Sequence, residues 1–386
     1  MKIIFKEYGY SPKMNPKGIK YFLLFFALLA IFPILQDLFH PFKLVGLDGA
    51  FTTQEKPVFT LENFRNGKYQ ETADIYLKDN APFRADLVRL RNQIDYFAFG
   101  NINTILTLGK ENYIFDPNYI LAREGKDYLP DSILDIHAKE LVAGLQVLNQ
   151  LKVPVLFCFA PNKANFYSEY LPVSSPANPK NNQSFFDSLL RKNQVQVLDA
   201  GHWLGTLKNK SPYPLLPKYG AHWSIYGASL VGDSLLKSLS KMKGKSYPRL
   251  NQIGIETGTK ARFTDDDYLA SLNLIWKWKS PEMAYPRLSY SQGERPNILV
   301  VSDSYFWSFY DLELVQNCFA PSSLMWYYNR SVYDMNRIKV SDRDTIITPE
   351  DIKHRDAILI VATGPSLKDF AYGFFHQLSK LKMHEK

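Results

Sequence analysis

The sequence contains few of the residues that mark metal or redox chemistry. Only two cysteines, Cys158 and Cys318, occur in 386 residues, and the seven histidines are scattered. There is no Cys-x-x-Cys pair and no His-Glu-x-x-His motif, so we expect neither a metal site nor a cofactor. Cys158 lies in the apolar run VPVLFCFAP, which favours a buried thiol, although a disulfide with Cys318 stays open as the alternative.

Clustered basic charge is also missing. The formal net charge is +8, yet no run of five or more Lys or Arg residues occurs, and no basic stripe alternates with aromatic residues. The sequence therefore predicts no nucleic-acid partner. Hydrophobic residues at 46% and charged residues at 22% are typical of a globular chain and exclude a disordered or multi-span membrane protein.

One long apolar run lies near the N-terminus. Residues 21–36 carry no charge, whereas residues 1–20 contain five lysines and one glutamate. This pattern predicts a transmembrane anchor at 21–36 in the inner (cytoplasmic) membrane, with a cytoplasmic tail at 1–20. A cleaved signal peptide is the alternative, but no Ala-x-Ala-like site follows the run. We expect everything beyond the anchor to be extracytoplasmic, first as a stalk at 37–67.

The remainder, residues 68–386, alternates helical patterns with short apolar runs. Apolar positions spaced three and four apart predict helices, and unbroken apolar runs predict buried strands. Such an alternation is typical of an α/β fold with a mostly parallel sheet covered by helices on both faces. The main predicted strands are residues 153–161, 195–200, 297–302 and 357–363, and the main predicted helices are residues 68–98, 132–151, 182–192 and the segment after His222.

Ser304 is the candidate nucleophile. The segment ILVVSDSYFWSF places it directly after a buried strand and before a helix, where free backbone N–H groups are available to an oxyanion. Ser and Asp are also common helix caps, so capping is the competing interpretation.

His222 is the candidate general base, because histidine accepts a proton near neutral pH. It lies in the loop KYGAHWSIYG, just before a predicted helix. His202, in DAGHWLG, is a competitor that spacing alone does not eliminate.

Two motifs in the segment GASLVGDSL are rejected on their chemistry. The spacing is that of a phosphate loop, but Asp233 stands where the phosphate-binding lysine belongs. The string GDSL also occurs in serine esterases. Here Ser234 falls inside an amphipathic helix pattern rather than at a strand end, which argues against a nucleophile.

Several segments together resemble the alginate O-acetyltransferase-like proteins (AlgX/AlgJ-type), extracytoplasmic members of the SGNH-hydrolase-like superfamily. They occur in the family's order from about Tyr76 to Asp369, and the resemblance implies an SGNH-hydrolase-like fold. The segments are NAPFRADLVRLRN, GKENYIF, APNKANFYSEYLP, GAHWSIYGA, VVSDSYFWSF and VATGPSLKDF.

The resemblance implies Ser304 as nucleophile and His222 as general base, and it favours His222 over His202. The chain departs from the family at the third position, because Gly220 stands where the motif Asp-x-His-Trp has its acid. Three accounts remain: a Ser-His dyad oriented by a backbone carbonyl, an acid supplied from elsewhere such as Asp199 or Asp303, or a fold retained for binding after catalysis was lost. We favour an active site.

The implied activity is O-acetylation of a cell-surface or secreted polysaccharide through a serine acyl-enzyme. The resemblance also implies a membrane-bound O-acyltransferase as the partner that supplies the acyl group. Two other functions stay open: a carbohydrate acetylesterase that uses water as acceptor, and a non-catalytic glycan-binding or assembly subunit.

Overall fold

The computed structural model describes residues 16–49, 55–343 and 346–381. Part of the predicted cytoplasmic tail (1–15) and of the predicted stalk (50–54) lies outside these ranges. The helices are α1 Pro16–Phe39, α2 Leu61–Arg65, α3 Lys68–Asn80, α4 Arg84–Phe99, α5 Pro117–Glu124, α6 Asp131–Gln150, α7 Lys163–Phe166, α8 Asn182–Lys192, α9 Ala200–Leu207, α10 Ile225–Lys243, α11 Asp267–Ser271, α12 Trp307–Asp311, α13 Leu314–Cys318, α14 Pro349–Lys353 and α15 Phe374–Ser379. The strands are β1 Thr107–Leu108, β2 Ile114–Phe115, β3 Val155–Phe159, β4 Gln196–Asp199, β5 Leu250–Gly258, β6 Met283–Tyr290, β7 Ile298–Ser302, β8 Leu324–Tyr327, β9 Ser331–Tyr333, β10 Lys339–Asp342 and β11 Ala357–Ala362.

The chain divides into two compact units. The smaller unit comprises residues 1–101 and 273–276 and contains α1 to α4. The stretch Lys17–Phe39 within α1 is long and apolar enough to cross a membrane, a test that signal sequences also pass. The larger unit comprises residues 102–272 and 277–386.

A seven-stranded mixed sheet forms the centre of the larger unit, in the order β10-β9-β8-β7-β11-β3-β4. The five strands from β8 to β4 are parallel, and β9 and β10 add to the β8 edge in antiparallel pairing. The predicted α/β architecture is thus confirmed as a mixed sheet with flanking helices. The sequence does not predict β9 and β10, because their short, half-exposed stretches lack the unbroken apolar pattern of the central strands.

Alternating side chains of the central strands supply two separate cores, one on each face of the sheet. Leu156, Val300 and Leu359 pack on one face with α10. Phe157, Val301 and Ile360 pack on the other face with α6, α8 and α15. Strands buried on both faces are apolar throughout, which explains why β3, β7 and β11 are the strands most clearly visible in the sequence.

The carboxyl ends of the parallel strands meet at one edge of the sheet, the usual place for ligand sites in open α/β folds. Lys163 lies shortly after β3, Ser304 after β7, Tyr328 after β8 and Thr363 after β11. The topology therefore brings residues from four distant segments to one edge.

Both cysteines are buried free thiols, as expected for Cys158. Burial raises the pKa of both Cys158 and Cys318, so each thiol stays protonated and acts as an apolar side chain.

Candidate active site

Ser304 begins a 3-10 helix, Ser304–Phe306, that leads from β7 into α12. Its side chain is half-buried, whereas Ser302 and Asp303 beside it are buried. The competing cap role belongs to Asp303, whose carboxylate accepts the N–H of Tyr305 at 3.0 Å. The Ser304 hydroxyl is therefore not used for capping and faces His222.

His222 is the histidine that meets Ser304. Its Nε2 lies 2.9 Å from Ser304 Oγ, and its ring packs edge-on against Tyr305 with 4.8 Å between the ring centroids. His222 is buried, in the loop immediately before α10. The competitor His202 lies instead in α9 and lines a separate cleft with Asn165 and Gln183. The catalytic roles of Ser304 and His222 stay predictions.

The acid beside His222 is Asp267, at the start of α11. Its Oδ2 lies 3.2 Å from His222 Nδ1, within ion-pair distance though without the alignment of a full hydrogen bond. Its Oδ1 accepts the N–H of Ala221 at 2.8 Å, which fixes the carboxylate on the loop that carries the histidine. The order along the chain is His222, Asp267, Ser304.

The two acids proposed from the sequence have other contacts. Asp199 caps α9 by accepting the N–H of His202 at 2.8 Å. Asp303 is buried, and its Oδ2 accepts hydrogen bonds from Tyr372 at 3.0 Å and from the side chains of Thr363 and Ser366. Burial raises the pKa of the Asp303 carboxyl, and these donors oppose that shift. Asp303 therefore ties β7 to the segment after β11.

The backbone packing around Gly220 explains the missing acid of the family motif. A Cβ atom at this position would lie 2.4 Å from the carbonyl oxygen of Thr264 and 2.7 Å from Pro217. The segment that carries Asp267 is docked against the loop at this point, where the N–H of Leu269 also donates to the carbonyl of Tyr219 at 3.2 Å. A side chain at position 220 would overlap the backbone of Thr264. The acid beside His222 is instead Asp267, which belongs to the same neighbouring segment as Thr264.

Two buried polar side chains hold the loop from the other side. Lys163 Nζ donates to the carbonyls of Lys218 at 2.8 Å and Gly220 at 2.7 Å, and its side chain is almost fully buried. The phenol of Tyr305 shares its single proton between the carbonyls of Ala221 at 2.9 Å and Pro161 at 3.0 Å. The main chain that leads into His222, from Lys218 to Ala221, is thereby fixed, which restricts the position of the imidazole ring.

Tyr328 lies against the Ser304 hydroxyl from the β8 side. Burial raises its pKa, so the phenol remains a proton donor. Tyr328 and Asn329 have φ values of 48° and 54°, a left-handed turn that glycine ordinarily occupies, and strain of this kind concentrates at functional sites. The main-chain N–H of Tyr328 donates to the carbonyl of Ser302 at 2.8 Å, which keeps the turn close to Ser304.

A cleft of about 610 Å³ opens beside Tyr328. Its walls contain aromatic rings, two carboxylates, one guanidinium and two imidazoles, which makes it suitable for a polar ligand. Glu140 lies within ion-pair distance of two histidines, 3.2 Å from His137 and 2.5 Å from His376. The residues that line the cleft are His137, Glu140, Tyr327, Tyr328, Arg330, Ser331, Asp369, Tyr372, Gly373 and His376.

The rejected motifs are helical, as predicted. Asp233 and Ser234 lie inside α10, and Asp233 pairs with Arg249 at 2.6 Å and with Lys237 at 2.7 Å. Neither residue contributes to the site.

The sequence analysis does not predict Asp267 or Tyr328 as members of the site. The only signal for Asp267 is the run Asp265-Asp266-Asp267, which gives no indication that it contacts His222.

The arrangement of a hydroxyl, an imidazole and a carboxylate in sequential contact at the carboxyl edge of an α/β sheet is the type that serine-dependent acyl-transferring and hydrolysing enzymes use. No protein-family model matches the chain, and neither does any curated protein. Solved structures give the following similarities.

Three solved structures are similar over about 70% of the chain. The O-acetyltransferase domain of Pseudomonas putida AlgJ is 15% identical, with 71% of this chain and 98% of that chain covered and a TM-score of 0.45. Pseudomonas aeruginosa AlgX is 12% identical (72% and 69% covered, TM-score 0.44), and Bacillus cereus PatB1 is 12% identical (69% and 97% covered, TM-score 0.41). AlgJ and AlgX, the type of protein that the sequence segments resemble, are among these structural neighbours.

Gly220→Ala should destabilise the protein, because the added methyl group overlaps the Thr264 carbonyl. We expect a loss of about 1–3 kcal/mol in the free energy of unfolding, measured by chemical denaturation of the full chain in detergent. Gly205→Ala is the matched control: it adds the same methyl group within α9 in open space and should stabilise by about 0.5–1 kcal/mol. Equal stability of Gly220→Ala and the wild type would contradict the packing described for the loop.

Burial of Lys163 should make stability rise with pH above neutrality. Desolvation lowers the pKa of Lys163 to about 7, against the opposing effect of the Asp267 carboxylate. Between pH 7 and 10.5 the unfolded chain therefore holds a proton that the folded chain has released, and this favours folding as the pH rises, by up to about 1.4 kcal/mol per pH unit. Unfolding measured from pH 7.5 to 9 should show a shallower rise in Lys163→Met than in the wild type. Identical slopes would show that Lys163 does not titrate in this window.

Proposed function

We propose that the chain is a membrane-anchored, extracytoplasmic O-acetyltransferase that acetylates a polysaccharide through an acyl-enzyme on Ser304. The observation that carries the proposal is the 2.9 Å contact between His222 Nε2 and Ser304 Oγ, completed by Asp267 at 3.2 Å from Nδ1. The apolar helix α1 supports the anchoring. A membrane-bound O-acyltransferase that delivers the acetyl group is the partner implied by the family resemblance.

The first half-reaction forms the acyl-enzyme. Ser304 Oγ attacks the carbonyl carbon of the acetyl donor while His222 Nε2 takes the hydroxyl proton. The imidazolium is stabilised by the Asp267 carboxylate, and it then gives the proton to the leaving group as the bond to the acetyl group breaks. Ser304 is left as an acetyl ester, and His222 is neutral again.

The oxyanion of this step needs hydrogen-bond donors close to Ser304. The N–H of Tyr305 is already bonded to Asp303, so the first helical N–H after Ser304 is not available. The Tyr328 phenol lies against the Ser304 hydroxyl and stays protonated, and we assign it as a donor to the oxyanion.

The second half-reaction transfers the acetyl group to a sugar hydroxyl. The acceptor gives its proton to His222 and attacks the acetyl carbonyl, and Ser304 departs and recovers the proton. The cleft beside Tyr328 is the site we assign to the acceptor, because aromatic faces together with two carboxylates and a guanidinium match the apolar faces and hydroxyl groups of a glycan.

Replacement of the nucleophile tests the proposal directly. The full chain in detergent, incubated with an activated acetyl ester, should gain the mass of one acetyl group, and Ser304→Ala should not. His222→Ala should slow acetylation by at least about 10²-fold, since it removes the general base. Added oligosaccharide should become acetylated; release of acetate alone would instead favour an esterase. If the wild type and both variants show no acetylation, the non-catalytic function is favoured.

Asp267→Asn tests whether this carboxylate serves as the third member. The change retains the side-chain volume but removes the charge that stabilises the imidazolium, so the acetylation rate should fall by about 10²–10⁴-fold. Asp199→Asn is the matched control at a helix cap and should leave the rate unchanged. Equal rates in Asp267→Asn and the wild type would show that His222 works without this acid.

A further inference from the structure

Helix α4 exposes a continuous apolar stripe. Leu87, Leu90, Ile94 and Phe97 follow one another at intervals of three, four and three residues, which places them on one helix face. They are exposed to 63%, 47%, 53% and 66% of their maximum. A contiguous apolar face of this kind marks a contact with a partner or a membrane.

The packed face of the same helix is polar, which reverses the usual arrangement of a helix in water. Asn92 and Gln93 are its buried residues. Gln93 accepts the main-chain N–H of Trp276 at 2.8 Å, and the Arg89 guanidinium donates to the carbonyls of Val45, at 2.9 Å, and Gly46. The polar contacts fix the rotation of α4 and turn its apolar face outward, an orientation that suits an apolar environment.

The start of α4 packs on the apolar part of α1. Phe83, directly before α4, stacks on Phe32 with 5.0 Å between the ring centroids and 12° between the planes. Phe42 packs against both rings, and its main chain is tied to the buried Gln36 side chain by hydrogen bonds of 2.8 and 3.1 Å. The chain therefore turns back after α1, and α4 starts beside the stretch Lys17–Phe39 that is able to span a membrane.

Further residues extend the apolar face. The ring of Trp276 lies 5.8 Å from that of Phe97, and Trp276 is 65% exposed, beside the exposed Ile275. Tryptophan is enriched where proteins meet the membrane–water interface. The exposed Arg91 lies at the edge of the stripe, where a long cationic side chain reaches toward water or lipid headgroups.

We propose that this face of α4, with Ile275 and Trp276, is embedded in the interfacial region of the bilayer that α1 enters. The inference rests on the anchoring role of α1 in the proposed function and adds a second, interfacial membrane contact in the same unit. The occupant is lipid, because the stripe starts one helical turn after Phe83, whose ring stacks on the apolar part of α1.

Depth measurements by spin labelling test the proposal on the full chain in phosphatidylcholine–phosphatidylglycerol vesicles. Single cysteines at Leu90→Cys and Ile94→Cys report the stripe, Arg91→Cys is the matched control on the same helix, and Leu28→Cys reports α1. The natural cysteines are buried and should not label. The measured quantity is the ratio of nitroxide collision rates with oxygen, which concentrates in lipid, and with a nickel chelate, which stays in water.

We expect the ratio to be several-fold higher at positions 90, 94 and 28 than at 91. A high ratio at 28 with water-like ratios at 90 and 94 would overturn the inference while the anchor stands. Low accessibility to both reagents at 90 and 94 would assign the stripe to a protein contact and would also overturn it. Water-like ratios at all four positions would reject both the anchor and the interfacial contact, independently of the acetylation assays on Ser304.

Discussion

The main-chain contact between Gly220 and Thr264 fixes the geometry on which the candidate site depends. The two segments approach so closely that no side chain fits between them. This contact holds α11 beside the loop that carries His222, and Asp267 then reaches both the N–H of Ala221 and the imidazole. Gly220, which stands where the family motif has its acid, is therefore the residue whose lack of a side chain lets Asp267 reach His222.

Buried polar groups hold the remaining parts of the site in place. Lys163 and Tyr305 bind carbonyls of the loop directly before His222, and the Asp303 carboxylate accepts hydrogen bonds from the segment after β11. Each group costs free energy to desolvate, and the cost is offset only when its hydrogen bonds form in one particular geometry. Such a network selects a single arrangement of the loop. It holds the His222 imidazole at hydrogen-bond distance from Ser304, so that little reorganisation is needed there.

The two units bury opposite kinds of surface. In the larger unit, α6 and α10 turn apolar residues inward onto the sheet. In the smaller unit, α4 turns Asn92 and Gln93 inward and leaves Leu90 and Ile94 outside. Helices with opposite orientation in one chain are consistent with the surroundings we propose, water for the larger unit and an apolar phase for the smaller.

The sequence by itself determined the central strands, the helices α3, α4, α6, α8 and α10, and the candidate pair Ser304 and His222, because apolar periodicity and strand-end position are local properties. Only the tertiary structure decided the edge strands β9 and β10 and the identity of the acid beside His222. Asp267 lies 45 positions beyond His222 in a run of three acids, and Asp199 and Asp303 were equally eligible by type. Which carboxylate meets the imidazole depends on how backbone segments pack around Gly220, a contact between residues distant in sequence that no local pattern encodes.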